Sequence, residues 1–171
     1  MDMREVIINK MVINIGSGSD AAQQQSARRL LESLTGRKPA NEISKKRNPS
    51  FKITKGQSIG AFVTIRGAQA KPIIKRLLDA ANNSFKESAI SGNSLSFGLR
   101  EYIDISGMKY DPKIGMLGMN VNISFKRRGI RVIERKRNSS QIPDHHRRVS
   151  KEEILSYMQR EFGAKMAENK E

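Results

Sequence analysis

Four stretches of this chain alternate between apolar and polar residues, a period of two that is typical of β-strands with one buried face. Strands of this kind form an antiparallel or mixed sheet, because strands of a parallel sheet are buried on both faces and form continuous apolar runs. The predicted inward positions are Met11, Ile13 and Ile15; Ile59, Ala61, Val63 and Ile65; Phe97, Leu99, Ile103 and Ile105; and Met119, Val121, Ile123 and Phe125.

Three segments with helical spacing each carry a single apolar stripe. The first follows Asp20, which can cap a helix, and ends at Gly36. The last begins with a capping box between Ser150 and Glu153. Helices with one stripe must cover one face of a sheet, so the sequence predicts an α+β fold, a two-layer open-faced sandwich with a mostly antiparallel sheet and helices on one face. The second helix has Pro72 in its first turn and the stripe Ile73, Ile74, Leu77, Leu78, Ala81 and Phe85.

No internal repeat and no flexible linker divides the chain, so residues 1–171 are expected to form a single domain. Three parts of that domain stand out: a basic tip at residues 45–55, a basic insertion at residues 126–149 and a C-terminal helix at residues 150–162. A short strand is predicted within the insertion, around residues 130–133.

The outward positions of the alternating segments predict a second, uncovered face of the sheet. Asn, Thr, Lys and Arg side chains can contact the phosphates and 2′-hydroxyls through which A-form RNA is recognised. An exposed sheet face is often polar without any ligand, so these residues alone leave both interpretations open. The predicted outward residues are Lys10, Asn14, Thr64, Arg66, Arg100, Tyr102, Asn120, Asn122 and Ser124.

Charge favours a nucleic acid as the partner. The chain has 32 Lys and Arg against 17 Asp and Glu, a formal charge of +15 and a pI of about 10.4. No segment approaches the roughly 18 apolar residues that span a bilayer, and no signal sequence is recognisable, so we expect a cytoplasmic protein with no membrane partner. The absence of cysteine agrees with a reducing compartment.

A nucleotide-dependent enzyme is the rival class, since Gly16, Gly18 and Ala21 satisfy a loose dinucleotide-binding fingerprint. In that fold the next strand should be parallel, apolar and end in an acid, whereas this chain continues into the basic tip. His145 and His146 have no cluster of acids or cysteines beside them that would complete a metal site. We therefore expect no catalytic residues, no cofactor, no metal and no small-molecule substrate.

An ordered series of motifs resembles the L-five family of large-subunit ribosomal proteins over most of the chain, up to about Phe125. The basic insertion and the following H-R-R-V-S-K-E-E are similar to archaeal and eukaryotic members, and the N-terminal helical extension of bacterial members is missing, which favours an archaeal protein. The motifs are K-M-V-I-N-I-G-S-G from Lys10, L-T-G-R-K-P from Leu34, F-K-I from Phe51, I-G-A-F-V-T-I-R-G from Ile59, F-G-L-R-E from Phe97 and Y-D-P-K-I-G from Tyr110.

The resemblance implies a protein that anchors 5S rRNA in the central protuberance, beside the peptidyl-site transfer RNA and a bridge to the small subunit. Its implied partners are 5S rRNA, large-subunit rRNA, that transfer RNA, neighbouring 5S-associated ribosomal proteins and a protein of the small-subunit head. The 5S rRNA assignment falls on Lys10, Asn14, Arg37, Thr64 and Arg66, where Arg37 replaces a glutamine of many bacterial relatives and is expected to contact phosphate.

The other assignments fall on the basic segments and one loop. An unrelated RNA-binding module with a similar sheet remains an alternative to the ribosomal protein. Transfer RNA contacts are expected at Lys45, Lys46, Arg47, Ser50, Lys52 and Lys55; the small-subunit contact at Lys109, Tyr110 and Lys113; and additional rRNA contacts, on charge alone, at Arg127, Arg128, Arg135, Lys136, Arg137, Arg147 and Arg148.

Overall fold

The structure, a computed structural model, describes residues 3–166. Six strands form one antiparallel sheet in the order β2-β3-β1-β7-β6-β5, and two short strands, β4 and β8, pair in parallel beside it. The predicted α+β sandwich, with helices on one face of a mostly antiparallel sheet, is confirmed. The strands are β1 (Val6–Gly16), β2 (Ala40–Ile43), β3 (Ser58–Ile65), β4 (Ser84–Phe85), β5 (Ile90–Ser91), β6 (Ser94–Leu99), β7 (Met119–Arg127) and β8 (Lys165–Met166), and the helices are α1 (Ala21–Thr35), α2 (Ala70–Ala80), α3 (Arg131–Glu134), α4 (Asp144–Arg147) and α5 (Lys151–Phe162).

β1 lies at the centre of the sheet and pairs antiparallel with β3 on one edge and β7 on the other. A bulge between Ile8 and Lys10 shifts its register with β7. Ile8 lies opposite the core residue Phe125, whereas Lys10 lies opposite Ser124. The bulge therefore reverses which positions of β1 face the core, so the regular alternation of buried and exposed residues begins only after it. Beyond the bulge Met11, Ile13 and Ile15 are buried as predicted.

Helices α1, α2 and α5 contribute their apolar stripes to one core against the inner face of the sheet. The Asp20 carboxylate caps α1 by accepting a hydrogen bond from the Ala22 backbone N–H at 2.9 Å. Gly36 ends α1 in the left-handed region, at φ +63°. The capping box of Ser150 and Glu153 at the start of α5 is present as predicted.

Ion pairs attach α5 to the rest of the molecule. Arg127, at the end of β7, makes a bidentate contact with Glu153, with its Nη2 at 2.8 and 2.9 Å from the two carboxylate oxygens. At the other end of α5, Lys71 Nζ donates to Glu161 Oε2 at 2.6 Å, which lowers the pKa of the Glu161 carboxyl. Arg127 therefore has a structural role, since its side chain is only 17% exposed.

The strand predicted through Phe97 and Ile105 is wrong beyond Leu99, where β6 ends. Tyr102, predicted to face outward, is completely buried, and Ile103, predicted to face inward, is 37% exposed. The Tyr102 hydroxyl accepts a hydrogen bond from the Asp111 backbone N–H at 3.0 Å, so the chain turns into the core to anchor the following loop. A tertiary contact of this kind has no signature in local periodicity.

Two smaller predictions are also corrected. Ala81 and Phe85 lie beyond the end of α2, and Phe85 is buried in β4, because Asn82 and Asn83 adopt positive φ values that break the helix. The predicted strand at residues 130–133 is instead the single helical turn α3, which is closed by hydrogen bonds of the type Ile133 N–H to Ile130 O, at 2.9 Å.

No helix within residues 3–166 is long and apolar enough to cross a membrane.

The two faces of β1 predict different costs for neighbouring substitutions. Ile13→Ala should lower the free energy of unfolding by about 2–5 kcal/mol, because Ile13 is completely buried and truncation leaves a cavity. Val12→Ala, one residue away on the uncovered face, is the matched control and should cost clearly less. Urea unfolding of the two variants measures the difference, and equal losses would contradict the assignment of the two faces.

Candidate RNA interface

No helix formed by residues 3–166 covers the outer face of the four central strands, and we call the residues of that face the open face. Lys10, Val12 and Asn14 of β1 lie beside Ser124, Asn122 and Asn120 of β7, and Val12 lies beside Thr64 of β3 on its other side. Directly opposed residues in such rows have Cβ atoms roughly 4.5–5.5 Å apart, so their polar groups form a continuous surface. None of the strands β1, β3, β6 and β7 contains an acidic residue. The open face is Lys10, Val12, Asn14, Phe62, Thr64, Ser94, Ser96, Gly98, Asn120, Asn122 and Ser124.

A shallow groove on the open face exposes amides and hydroxyls together. It is lined by Asn14, Asn120 and Asn122 with residues 96–98 of β6. A Cβ at Gly98 would lie 3.3 Å from Asn120 Oδ1, so the missing side chain leaves the groove open. Asn14 Oδ1 is shielded from solvent and accepts no hydrogen bond from residues 3–166, which leaves hydrogen-bonding capacity that this part of the chain does not use.

Ser94 and Ser96 belong to this face although they are not among the predicted site residues. Their signal in the sequence is the alternation of Leu95, Phe97 and Leu99, which starts before Phe97. Tracing that period backward from Phe97, instead of forward into the loop, identifies both serines. β6 also places Gly98 on this face and ends before Arg100 and Tyr102, so the open face extends across β6 and not into the following loop.

Arg37 and Arg66 lie at the edge of the open face. β2 begins at Ala40, opposite Phe62, so it does not reach the Thr64 carbonyl. Arg37 Nη1 donates to that carbonyl at 3.4 Å, and its Nη2 donates to Gln69 Oε1. Arg66 is exposed immediately after β3 ends. The structure therefore brings Lys10, Asn14 and Thr64 onto one face and holds the two arginines beside it.

The basic tip, residues 45–55, extends from the end of the β2–β3 hairpin. Paired backbone hydrogen bonds between Asn48 and Ile53, at 2.9 and 3.0 Å, close it around a 3-10 turn at Pro49–Phe51. Lys52 follows in the left-handed region at φ +54°. Phe51 is 69% exposed, so it does not anchor the tip on the body of the protein. The five cations are exposed and form no salt bridge within the described chain; they are Lys45, Lys46, Arg47, Lys52 and Lys55.

The loop between β6 and β7, residues 100–118, lies against the helices on the other side of the molecule. Arg76 of α2 donates from Nε and Nη2 to the Ser106 carbonyl at 3.0 and 2.6 Å. Ser26 of α1 donates to the Lys113 carbonyl at 3.1 Å. These bonds hold the backbone of the loop while Lys109, Tyr110 and Lys113 remain exposed. The three residues predicted for an intersubunit contact therefore share one surface, which is separate from the open face.

The cations of the insertion differ in whether they already form ion pairs or hydrogen bonds within the protein. Arg128 Nε lies 3.0 Å from Glu5 Oε2, Arg135 Nε donates to the Asn138 carbonyl at 2.7 Å, and Arg147 pairs with Asp144 at 2.7 Å. Arg148 lies at 4.0 Å from the same Asp144. Lys136 and Arg137 are exposed and form no salt bridge within residues 3–166, so they carry the charge most readily available to RNA.

The structure gives no support to the dinucleotide-binding alternative. β2, the strand that follows α1, does not pair with β1, because the antiparallel strand β3 lies between them, whereas that fold requires the two strands to be adjacent and parallel. The Gly16–Gly18 turn is held by the Ser17 N–H, which donates to the Ile59 carbonyl at 3.0 Å. Within residues 3–166 no group of histidine and acidic residues is placed to hold a metal ion.

An uncovered polar sheet face, a projecting cationic tip and a strong positive charge together define a nucleic-acid-binding protein of the open-faced sandwich class. Two family models match the chain: "Ribosomal protein L5" over residues 2–54, and the model for the C-terminus of the same ribosomal family over residues 58–157. The chain therefore belongs to the ribosomal protein L5 family of the large ribosomal subunit, whose members are structural RNA-binding proteins and not enzymes.

Relatives from archaea match almost the whole chain. The large ribosomal subunit protein uL5 of Sulfurisphaera tokodaii is 39% identical over 97% of this chain and 94% of its own length. The protein of the same name from Methanosphaera stadtmanae is 42% identical over 94% of this chain and 95% of its own length. The protein of the same name from Archaeoglobus fulgidus is 40% identical over 92% of this chain and 88% of its own length. The expected archaeal type of the family is confirmed.

Proposed function

We propose that this protein anchors 5S rRNA in the central protuberance of the large subunit by binding it through the open face. The observation that carries the proposal is that this face remains uncovered although the other face of the same sheet is sealed by three helices. It presents amides, hydroxyls and Lys10 in cross-strand rows without an acid on its central strands. The protein works in the cytoplasm as a structural part of the ribosome.

The chemistry of the open face suits a shaped RNA better than a generic polyanion. Asn120 and Asn122, which lie beside Asn14 and Val12 in cross-strand rows, each offer both donors and acceptors, which match 2′-hydroxyls and base edges of a wide A-form minor groove. Lys10 and the edge residues Arg37 and Arg66 supply charge for phosphates. We infer that the amides provide discrimination and that the cations provide affinity.

The basic tip is proposed to contact the peptidyl-site transfer RNA. Its cations carry no partner charge within the described chain, and the paired bonds between Asn48 and Ile53 hold them on a closed turn beyond the body of the protein. Exposed Ser50 at the turn adds a hydroxyl that can donate to a phosphate. A preformed cationic turn binds a phosphate backbone with little ordering cost.

The loop from Lys109 to Lys113 is proposed to contact a protein of the small-subunit head. Tyr110 is 55% exposed and Met116, later in the same loop, is 53% exposed, and both residue types are enriched at protein interfaces. The insertion is proposed to contact large-subunit rRNA, and neighbouring 5S-associated ribosomal proteins are proposed as further partners. These surfaces lie on different parts of the molecule, so one small protein can connect several components.

Binding to 5S rRNA tests the open face directly. Asn14→Ala or Thr64→Ala should weaken 5S rRNA binding by about 1–3 kcal/mol, because each removes a hydrogen-bonding side chain from the interface. A size-matched control RNA should be almost unaffected. Gln25→Ala, an uncharged polar residue exposed on α1, is the matched control variant. Filter binding at fixed salt measures each variant against both RNAs, and equal weakening toward both would contradict specific recognition.

The salt dependence of transfer RNA release tests the basic tip. Replacing its five cations by Ala should speed release of peptidyl-site transfer RNA and reduce the log–log salt slope by roughly 0.7–0.9 for each phosphate that the tip no longer neutralises. The unfolding free energy should change by no more than ~0.5 kcal/mol per site, since the side chains are exposed. Dissociation from rebuilt subunits is measured across a salt series.

A matched variant removes five exposed charges elsewhere and should leave the release rate and the salt slope as in the wild type. An unchanged rate and slope in the tip variant would show that the tip is only a solvated loop. Phe51→Ala should leave the melting temperature unchanged because the ring is exposed, so any effect on transfer RNA would report stacking. The control positions are Arg29, Lys75, Lys86, Lys151 and Lys165.

Charge reversal tests the loop. Lys109→Glu combined with Lys113→Glu should weaken the association of rebuilt large subunits with small subunits, because exposed charges at an interface act on encounter and salt sensitivity. Binding of 5S rRNA should remain intact. Sedimentation of the mixed subunits measures subunit association, and filter binding measures 5S rRNA binding. Loss of 5S rRNA together with normal subunit association would refute the intersubunit assignment.

A further inference from the structure

A cavity of about 340 Å³ lies where the N-terminal segment meets the insertion, and none of its lining residues belongs to the open face, the basic tip or the loop. Its volume is at the lower end of the roughly 300–1,000 Å³ typical of ligand pockets. Two stretches far apart in sequence line this open cavity, so it forms only when the insertion folds back on the segment before β1. The lining residues are Met3, Arg4, Arg127, Arg128, Gly129, Ile130, Ile142 and His146.

The apolar part of the cavity consists of Met3, Ile130 and Ile142. Gly129 lies between the strand and α3 at φ +87°, which favours glycine, and a Cβ there would lie 3.6 Å from Met3 Sδ. The wall is therefore made of a thioether and branched aliphatic groups. A thioether makes favourable contacts with an aromatic ring, and the aliphatic groups beside it offer an apolar surface to the same ring.

The polar part of the cavity is cationic. Arg128 is held in place by Glu5, whose carboxylate lies 3.0 Å from Nε, and its side chain remains 34% exposed. His146 is exposed, and its ring contacts that of His145 with centroids 4.2 Å apart. Arg127 adds less, because Glu153 already binds its guanidinium. No acidic residue lines the cavity within the described chain, so an anionic group would meet no carboxylate on the cavity's own lining.

We propose that this cavity binds one unstacked nucleotide of large-subunit RNA, with the base against Met3, Ile130 and Ile142 and a phosphate at Arg128 and His146. An apolar floor with a cationic rim matches a group that is planar and apolar at one end and anionic at the other. Single-stranded RNA is recognised by splaying bases out of the stack in this way. The site gives the insertion a specific role beyond its charge, and it does not depend on the open face.

Direct binding of mononucleotides to the full-length protein tests the site. The protein is labelled with ¹³C at methionine and isoleucine methyl groups and titrated with AMP, GMP, CMP and UMP. At least one nucleotide should shift the methyl signals of Met3, Ile130 and Ile142 together. Inorganic phosphate alone should leave those methyl signals in place. If no nucleotide shifts them, or if an acidic peptide shifts them at lower concentration than every nucleotide, the proposal is overturned.

Two neighbouring histidines provide a matched pair of variants. His146→Glu places a carboxylate at the rim and should weaken nucleotide binding about tenfold or more, the effect of losing a charge-assisted hydrogen bond. His145→Glu makes the same charge change in the same helical turn but does not line the cavity, so binding should weaken clearly less than in His146→Glu. Equal weakening in both variants would show general electrostatics and overturn the proposal.

An experiment on assembled subunits distinguishes the proposed nucleotide site from the proposed binding of 5S rRNA. In subunits rebuilt with His146→Glu, one nucleotide of the large-subunit RNA should become reactive to base-modifying reagents, while 5S rRNA should remain bound as in the wild type. Subunits with His145→Glu should show the wild-type pattern. An unchanged reactivity pattern with His146→Glu would overturn the nucleotide site. Loss of 5S rRNA would instead concern the open face, whose variants are tested separately.

Discussion

β1 hydrogen-bonds along both of its edges, to β3 through residues 11–16 and to β7 through residues 6–14, and every other feature of the fold depends on this central position. Because side chains of a strand alternate between faces, pairing on both edges fixes which residues of three strands enter the core together. Gly60 allows the backbones of β3 and β1 to approach each other closely, since a Cβ there would lie 2.5 Å from the Ile15 carbonyl oxygen. The same pairing aligns the polar residues on the outer face into rows.

The protein separates the parts that stabilise it from the parts that are free to bind. α1, α2 and α5 seal one face of the sheet, and Arg127 and Lys71 are used in ion pairs that attach α5. The open face, the basic tip and the loop after β6 keep exposed polar or charged groups on backbones that are already hydrogen-bonded. Preorganisation of this kind reduces the entropy lost on binding. It suits a structural RNA-binding protein of the large ribosomal subunit.

Prediction from the sequence succeeded where local pattern and tertiary environment agree. The strands around Ile13, Val63 and Val121 and the caps at Asp20 and Ser150 follow from periodicity and capping chemistry. It failed where a long-range contact decides the conformation. Tyr102 has the position of an outward strand residue, but the chain leaves the sheet after Leu99 and buries the ring. The prediction of short helical turns such as α3 failed for a related reason, since four residues are too few to reveal a helical period.

The class of fold, the two faces of the sheet, the basic tip and the family can all be inferred from the amino-acid sequence, because each depends on the identity and spacing of neighbouring residues. The three-dimensional fold was needed to show which cations already have a carboxylate partner, as Arg127 has in Glu153 and Arg128 has in Glu5. It also decided that Met3 meets Ile142 around a cavity. These relations join residues far apart in the chain, and their energies depend on distance in space, which no local pattern of the sequence records.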